Sequence, residues 1–159
     1  MREAGSLIVR WPQVSAGGMF PLRDLEEFFV GQWGLERDIA DEAGSSLGAF
    51  SGEAAFTRGE GELVFHEWGT LVLGVHRAPA HRTLHFRLDG GARARVHFDY
   101  GDFFHDLDLS SGRWQAQHPC RDDLYRGEFV VCGRDEWWQR WSVAGPTKNH
   151  VLTTRFLRR

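Results

Sequence analysis

The chain lacks the marks of several common classes. Its 159 residues contain no stretch apolar enough and long enough to span a bilayer as a helix. Met1 to Phe20 has no continuous apolar core, because Arg10, Pro12 and Gln13 interrupt it. A secretory leader is therefore not expected, and a cytoplasmic protein is. Only two cysteines occur, Cys120 and Cys132. That number fits reduced thiols better than a disulfide framework. Neither a Cys-x-x-Cys nor a zinc-ribbon spacing is present, so no metal site is expected. There is no haem attachment motif and no facial His/His/carboxylate spacing. Excess positive charge is also missing, with a formal net charge of −3. Arginines interleave with acids, as in Arg121-Asp122-Asp123 and Gly133-Arg134-Asp135-Glu136, which is the pattern of a solvated surface and argues against nucleic-acid binding. No internal repeat, low-complexity tract or second domain is visible.

What the chain does have is period-two alternation. Residues 1–20 read as a loosely ordered lead-in, and residues 21–159 as one domain with a sizeable core. Residues 21–29 are the one convincing helix candidate: Leu22, Leu25, Phe28 and Phe29 recur at helical spacing, with Pro21 near the start. After Gly31 the pattern is strands, broken by short Gly, Asp, Ser or Pro clusters. Hairpin-like turns fall at Asp89-Gly90-Gly91, Tyr100-Gly101-Asp102, Ser110-Ser111-Gly112 and Gly133-Arg134-Asp135. Regular spacing makes consecutive strands neighbours. The expectation is an all-β fold, an antiparallel up-and-down barrel of about eight to ten strands, with the short helix closing one end. Gly31-Gln32-Trp33 on the first strand and Arg155 on the last suit such closure, with the cation lying on the indole face.

Parity assigns faces. Leu63, Phe65 and Glu67 share one, as do Leu84, Phe86 and Leu88. Ala94, Val96 and Phe98 share another, and Phe103, His105, Leu107 and Leu109 a fourth. Trp114, Ala116 and His118 alternate with Arg113, Gln115 and Gln117. Tyr125 falls with Phe129 and Val131. Glu67, His105, His118 and Tyr125 are thus polar groups on apolar faces. A buried polar group must be hydrogen-bonded or solvated by internal water. Together they make either a structural network or the polar part of a ligand cavity, walled by Phe65, Phe86, Phe98, Trp114 and Phe129. Glu67, His105 and His118 are also the candidates for acid–base catalysis. Taken singly, each is more often a satisfied core residue than a catalyst.

The densest cluster is His118-Pro119-Cys120-Arg121-Asp122-Asp123-Leu124-Tyr125. Activation of Cys120 would need a neighbouring imidazolium. The favoured alternative is a corner between strands, bent at Pro119, with Asp123 accepting backbone amides. Trp137-Trp138-Gln139-Arg140-Trp141 reads as core, with Trp137 and Trp141 on one face. Lys148, in the turn Gly145-Pro146-Thr147-Lys148, sits near a barrel rim, where a cation could meet an anionic ligand.

Gly31-x-Trp33 after a short helix, with an arginine near the chain's end, resembles the calycin superfamily of lipocalins and fatty-acid-binding proteins. The chain is more closely similar to an uncharacterised family of small calycin-like proteins from bacteria and fungi. That likeness rests on Gly31-Gln32-Trp33-Gly34-Leu35-Glu36-Arg37, Gly48-x-Phe50-x-Gly52-x-Ala54-x-Phe56 and Glu67-x-Gly69, with Phe98 and Phe104-His105. It rests also on His118-x-Cys120-x-x-Asp123-x-Tyr125 and Trp141-x-Val143-x-Gly145-Pro146-x-Lys148, and covers about residues 28–159. The resemblance implies the barrel and no particular activity. Phe156 follows Arg155, and the Arg-x-Tyr carboxylate clamp of fatty-acid-binding proteins is missing. The first expectation is a cofactor-free barrel binding a small hydrophobic or amphipathic ligand through Glu67, Phe86, Phe98, His105, Trp114, His118, Tyr125 and Phe129. The alternatives are a cyclase or isomerase on the same barrel, and a haem-binding barrel. Homodimerisation stays open.

Overall fold

The computed structural model describes residues 9–13 and 19–159. The expected lead-in over residues 1–20 therefore lies largely outside the described residues. Trp11 is within them: it packs edge-on against Trp138 at 6.4 Å, and the Arg140 guanidinium lies over its ring, 4.5 Å from the centroid.

One short helix, α1 (Leu25–Phe29), precedes ten strands. It is shorter than the spacing of apolar residues predicts. Asp24 caps it, accepting the Glu27 amide at 3.1 Å, and so fixes its first turn after Pro21 and Leu22. The strands are β1 (Gly31–Asp41), β2 (Ser46–Arg58), β3 (Glu62–Leu73), β4 (His76–Gly90), β5 (Arg93–Phe98), β6 (Phe103–Asp108), β7 (Arg113–Cys120), β8 (Asp123–Gly133), β9 (Glu136–Ala144) and β10 (Asn149–Arg158). They form one antiparallel sheet in the order β6-β5-β4-β3-β2-β1-β10-β9-β8-β7. This is an up-and-down meander whose first and last strands pair, as the turn spacing predicts. The barrel is nearly closed. Its seam lies between β6 and β7, where no ladder forms and the Trp114 indole N–H donates instead to the Asp106 carbonyl at 2.9 Å.

The meander places its turns alternately at two ends. The β2–β3, β4–β5, β6–β7 and β8–β9 turns gather at the end that α1 covers. Backbone amides of the covering segment bond to these turns and strand ends: Leu25 to the Gly91 carbonyl, Leu22 to Leu109, and Phe20 to Val131. Behind this lid the interior is packed with aromatic rings. Phe29 stacks on Phe56 at 4.6 Å, Trp137 lies flat on Phe156 at 3.9 Å, and Phe86 meets Phe29 and Phe56 edge-on. Each such ring, fully removed from water, contributes on the order of 1.5–3 kcal/mol.

Trp33 is fully buried and donates its indole N–H to the Phe29 carbonyl at 2.9 Å. The cation on its face is not Arg155. It is Arg158, 4.2 Å from the ring centroid and cross-strand partner of Trp33. Period two explains the correction. Thr154, Phe156 and Arg158 share the inner face, so Arg155 points outward, over Trp138 and paired with Glu136.

Candidate functional site

The opposite end of the barrel, ringed by the β1–β2, β3–β4, β5–β6, β7–β8 and β9–β10 turns, holds a cavity of about 300 Å³. Its walls are Phe98, Phe104, Tyr125, Trp141, Val143 and Leu152. Its polar lining comes from Arg37, Arg82, His118, Gln139, His150 and Thr154, with Tyr100 and Cys120 toward the turns. A smaller cavity of about 220 Å³ adjoins it, sharing Arg37, Arg82 and Leu152 and including Glu67.

Between the two cavities lies an ionic cluster built from the inner faces of β1, β3 and β4. Arg37 donates Nη1–H to Glu67 Oε1 at 2.9 Å and Nη2–H to Oε2 at 2.8 Å. Its Nε–H goes to Thr154 Oγ1 at 2.8 Å, so all three nitrogens are engaged. Arg82 Nε stands 3.3 Å from Glu67 Oε1, close enough to attract but not aligned for a hydrogen bond. Burial pushes the Glu67 carboxyl up. Arg82 and then Arg37 outweigh that, and the carboxyl ends below its ordinary value. Glu67 is a committed counter-ion, not a free base.

His105 is buried below the cavity, between Phe104, Phe129 and Trp141. Its Nδ1 is 2.7 Å from the Asp106 carbonyl. A carbonyl only accepts, so Nδ1 carries the proton. Burial pushes its pKa down to about 4, and the ring is neutral at pH 7. The Asp106 carbonyl thereby takes two donors, His105 and Trp114, one for each lone pair.

A bulge re-aims this corner. Val96 opposes His105, whereas His97 opposes Phe103, so Phe104 is an extra residue on β6. Strict alternation puts Phe103 inside with His105. The bulge turns Phe103 out, 51% exposed, and brings Phe104 in beside His105.

His118 and Tyr125 are cross-strand partners on β7 and β8, their rings 6.0 Å apart, and both line the cavity. The corner expected at Pro119 is absent. β7 runs straight through it to Cys120, and the chain turns at Arg121, whose φ is +56°. Proline is tolerated there because β7 is a sheet end and one of its sides owes no ladder bonds. Asp123 packs its carboxylate against Gly145, where a Cβ would overlap it. The two motifs at the mouth, around His118–Tyr125 and Trp141–Lys148, thus touch each other. Gly127 does a similar job deeper in: a Cβ there would lie 2.6 Å from the Trp141 ring, which needs that space to stand as a cavity wall.

Of the residues expected to bind a ligand, Phe98, His118 and Tyr125 line the larger cavity. Glu67 lines the smaller one. His105 and Phe129 lie beneath the walls, Phe65 and Phe86 belong to the packed half, and Trp114 bridges the seam. Arg37, Arg82, Gln139 and Thr154 carry the polar lining instead. Their signal is in the parity: Arg37 alternates in step with Trp33 and Leu35, and Arg82 with Leu84 and Phe86. Among the described residues no group of three or more His, Cys, Asp or Glu side chains could hold a metal ion. None of their helices is long and apolar enough to cross a membrane.

Two solved structures share this architecture. One is an S-type phycobiliprotein lyase, CpeS, from Guillardia theta, at TM-score 0.61 and 10% identity, covering 86% of this chain and 93% of that one. The other is a protein of unknown function from the DUF3598 family of Nostoc punctiforme, at TM-score 0.61 and 12% identity, covering 89% of this chain. It is longer, and the match spans 51% of its length. At such identities the likeness shows the barrel fold and nothing finer. No curated protein matches the chain. A family model matches residues 29–158, from the end of α1 through β10, and the chain belongs to that family of unknown function, DUF6314.

Proposed function

We propose that this barrel binds a small, partly hydrophobic molecule in the cavity at the end away from α1. The observation that carries this reading is the contrast between the two halves of the interior. One half is filled by interlocked aromatic rings. The other holds about 300 Å³ of space between aromatic walls and buried polar groups, all supplied by one chain. That volume is at the lower end of what ligand sites enclose. Aromatic walls bind apolar surface, and a few fixed polar groups orient it. Arg37, Gln139, Thr154, His118 and Tyr125 supply those groups, and the His118-x-Cys120-x-x-Asp123-x-Tyr125 and Trp141-x-Val143-x-Gly145 segments frame the mouth.

Of the three acid–base candidates only His118 lines the larger cavity, and among the described residues no carboxylate lines it with His118, so the geometry favours binding over acid–base turnover. Glu67 is spent on two guanidiniums, and His105 is spent on a backbone carbonyl below the wall. Neither offers a free proton site inside the larger cavity.

The test is native mass spectrometry of protein purified from its own host, paired with titration of the uncharged fluorophore N-phenyl-1-naphthylamine. A released mass, or saturable fluorescence that Leu152→Trp abolishes by filling the cavity, is the expected result. No bound mass and no titration that Leu152→Trp affects would overturn the reading.

A further inference from the structure

Resting on that binding reading, we infer that the ligand is a compact, flat, conjugated anion whose acidic group lies against Arg82.

The charge comes first. Two arginines line the cavity and, among the described residues, no carboxylate does. Glu67, the one acid in the cluster, stands on the side of the smaller cavity and is shared by both arginines. Two guanidiniums against one carboxylate leave one positive charge uncompensated. Arg37 has already spent three of its five N–H groups, with its fork turned onto Glu67 and its Nε–H on Thr154. Arg82 is the opposite case. It makes no hydrogen bond among the described residues, its Nε is buried without a partner, and its side chain is still 38% exposed. A guanidinium is a planar fork suited to an oxyanion. Placed at an aromatic cavity with its fork unspent, it selects an anionic group.

The shape follows from the walls. Tyr100, Phe98, Phe104 and Trp141 run as consecutive near-parallel planes. Interplanar angles are 7°, 16° and 23°, and centroid separations are 5.2, 4.4 and 4.9 Å. All four line the cavity. Stacked on one another, these rings turn their edges and the end faces of the stack to the cavity, and a flat ring gains edge-to-face or offset contacts there that an alkyl chain does not. A long chain is excluded on different grounds: the rings of Phe56, Phe65, Phe86, Trp137 and Phe156 fill the barrel below, so no tunnel continues the cavity.

The experiment uses a matched pair of probes, 8-anilinonaphthalene-1-sulfonate and its uncharged parent N-phenyl-1-naphthylamine, on the full chain. The sulfonate should bind about tenfold more tightly than the parent. Arg82→Gln should weaken the sulfonate about tenfold more than it weakens the parent and so remove that preference, and Arg82→Lys should keep part of it. Displacement of the bound sulfonate should need about tenfold less naphthalene-2-sulfonate than octyl sulfate, an aliphatic anion. Melting curves of both Arg82 variants check that each is folded; where the Gln variant fails to fold, the Lys variant and the displacement series still decide. Equal binding of the two probes to the native protein, or equal potency of the flat and aliphatic anions, overturns this inference and leaves the binding barrel standing. Absence of any binding sensitive to Leu152→Trp overturns both.

Discussion

Arg37 grips Glu67 with both terminal nitrogens, at 2.9 and 2.8 Å, from a strand two places away in the sheet. The pair is almost fully removed from solvent, with 10% and 4% of the two side chains exposed. Removing one member of such a pair leaves the other charge buried and alone. Glu67→Gln should therefore cost about 3–5 kcal/mol. The cost is raised here because Arg37 and Arg82 would then face each other without a counter-ion. Urea unfolding of the variant should show a lowered midpoint with an unchanged slope. Full native stability in Glu67→Gln would mean the cluster is not the barrel's internal brace.

Two histidines should respond to pH in opposite directions. Burial lowers His105 to about 4, below its unfolded value of about 6.5. The unfolded chain takes the proton first, so the stability tied to neutral His105 falls as pH drops from about 6.5 toward 4, by roughly 3 kcal/mol in all. His85 is the reverse. On the outer face it bridges Asp99, at 2.9 Å from Nε2, and Glu62, at 3.2 Å from Nδ1. Its hydrogen bond to Asp99, and next that to Glu62, raise its pKa despite partial burial. Its contribution is present in full below about 6.5 and is lost as pH rises through the raised folded value. Stability measured from pH 4 to 8 should slope less steeply at the acid end in His105→Phe, and less steeply at the neutral end in His85→Gln. Identical profiles in the two variants would contradict the assignment.

Period two made much of the interior legible. Leu63, Phe65 and Glu67 are inside, as alternation requires, and so are Phe98, His118 and Tyr125. Arg37 and Arg82 were readable in the same way, as charges on apolar stripes. Alternation says that a charge is inside but not what it meets there. Arg37 and Glu67 sit on β1 and β3, which are not neighbours, so their meeting depends on barrel curvature and the register of β2 between them. The Phe104 bulge had no signal, because Phe103 and Phe104 are identical in chemistry and either could face inward. Cavity and packed core also look alike in sequence: Phe86 and Phe98 have the same parity signature, and only the position of α1 decides which end is filled.

Arg155 and Arg158 allow a direct test of how the covered end is sealed. Arg158 lies on the Trp33 face at 4.2 Å and donates through Nη2 to the Phe28 carbonyl at 2.8 Å, tying β10 to α1 and β1 together. Losing a desolvated cation–π contact and a charge-assisted hydrogen bond should make Arg158→Ala cost about 2–4 kcal/mol. Arg155 is 43% exposed and pairs with Glu136 at the surface, so Arg155→Ala should cost less than about 1 kcal/mol. Thermal melts of the two alanine variants decide the matter, and a reversed order would restore Arg155 as the closing cation.

Gly127 gives the means to close the cavity without touching its lining. A single methyl there would stand 2.6 Å from the Trp141 ring, well inside contact distance. The strand backbone of β8 is held on both sides, by β7 and β9, and yields little. The indole is the freer partner, and the open side available to it is the cavity. Gly127→Ala should therefore push Trp141 inward, reduce the space beside Phe104 and Gln139, and weaken binding of N-phenyl-1-naphthylamine about tenfold. The strain should cost about 1–3 kcal/mol, leaving the variant folded enough to titrate. Trp141→Leu in the same background should restore probe binding by removing the displaced ring. Loss of binding that the double variant does not recover would point to a distorted β8 rather than an occupied cavity, and would remove Trp141 from the list of walls.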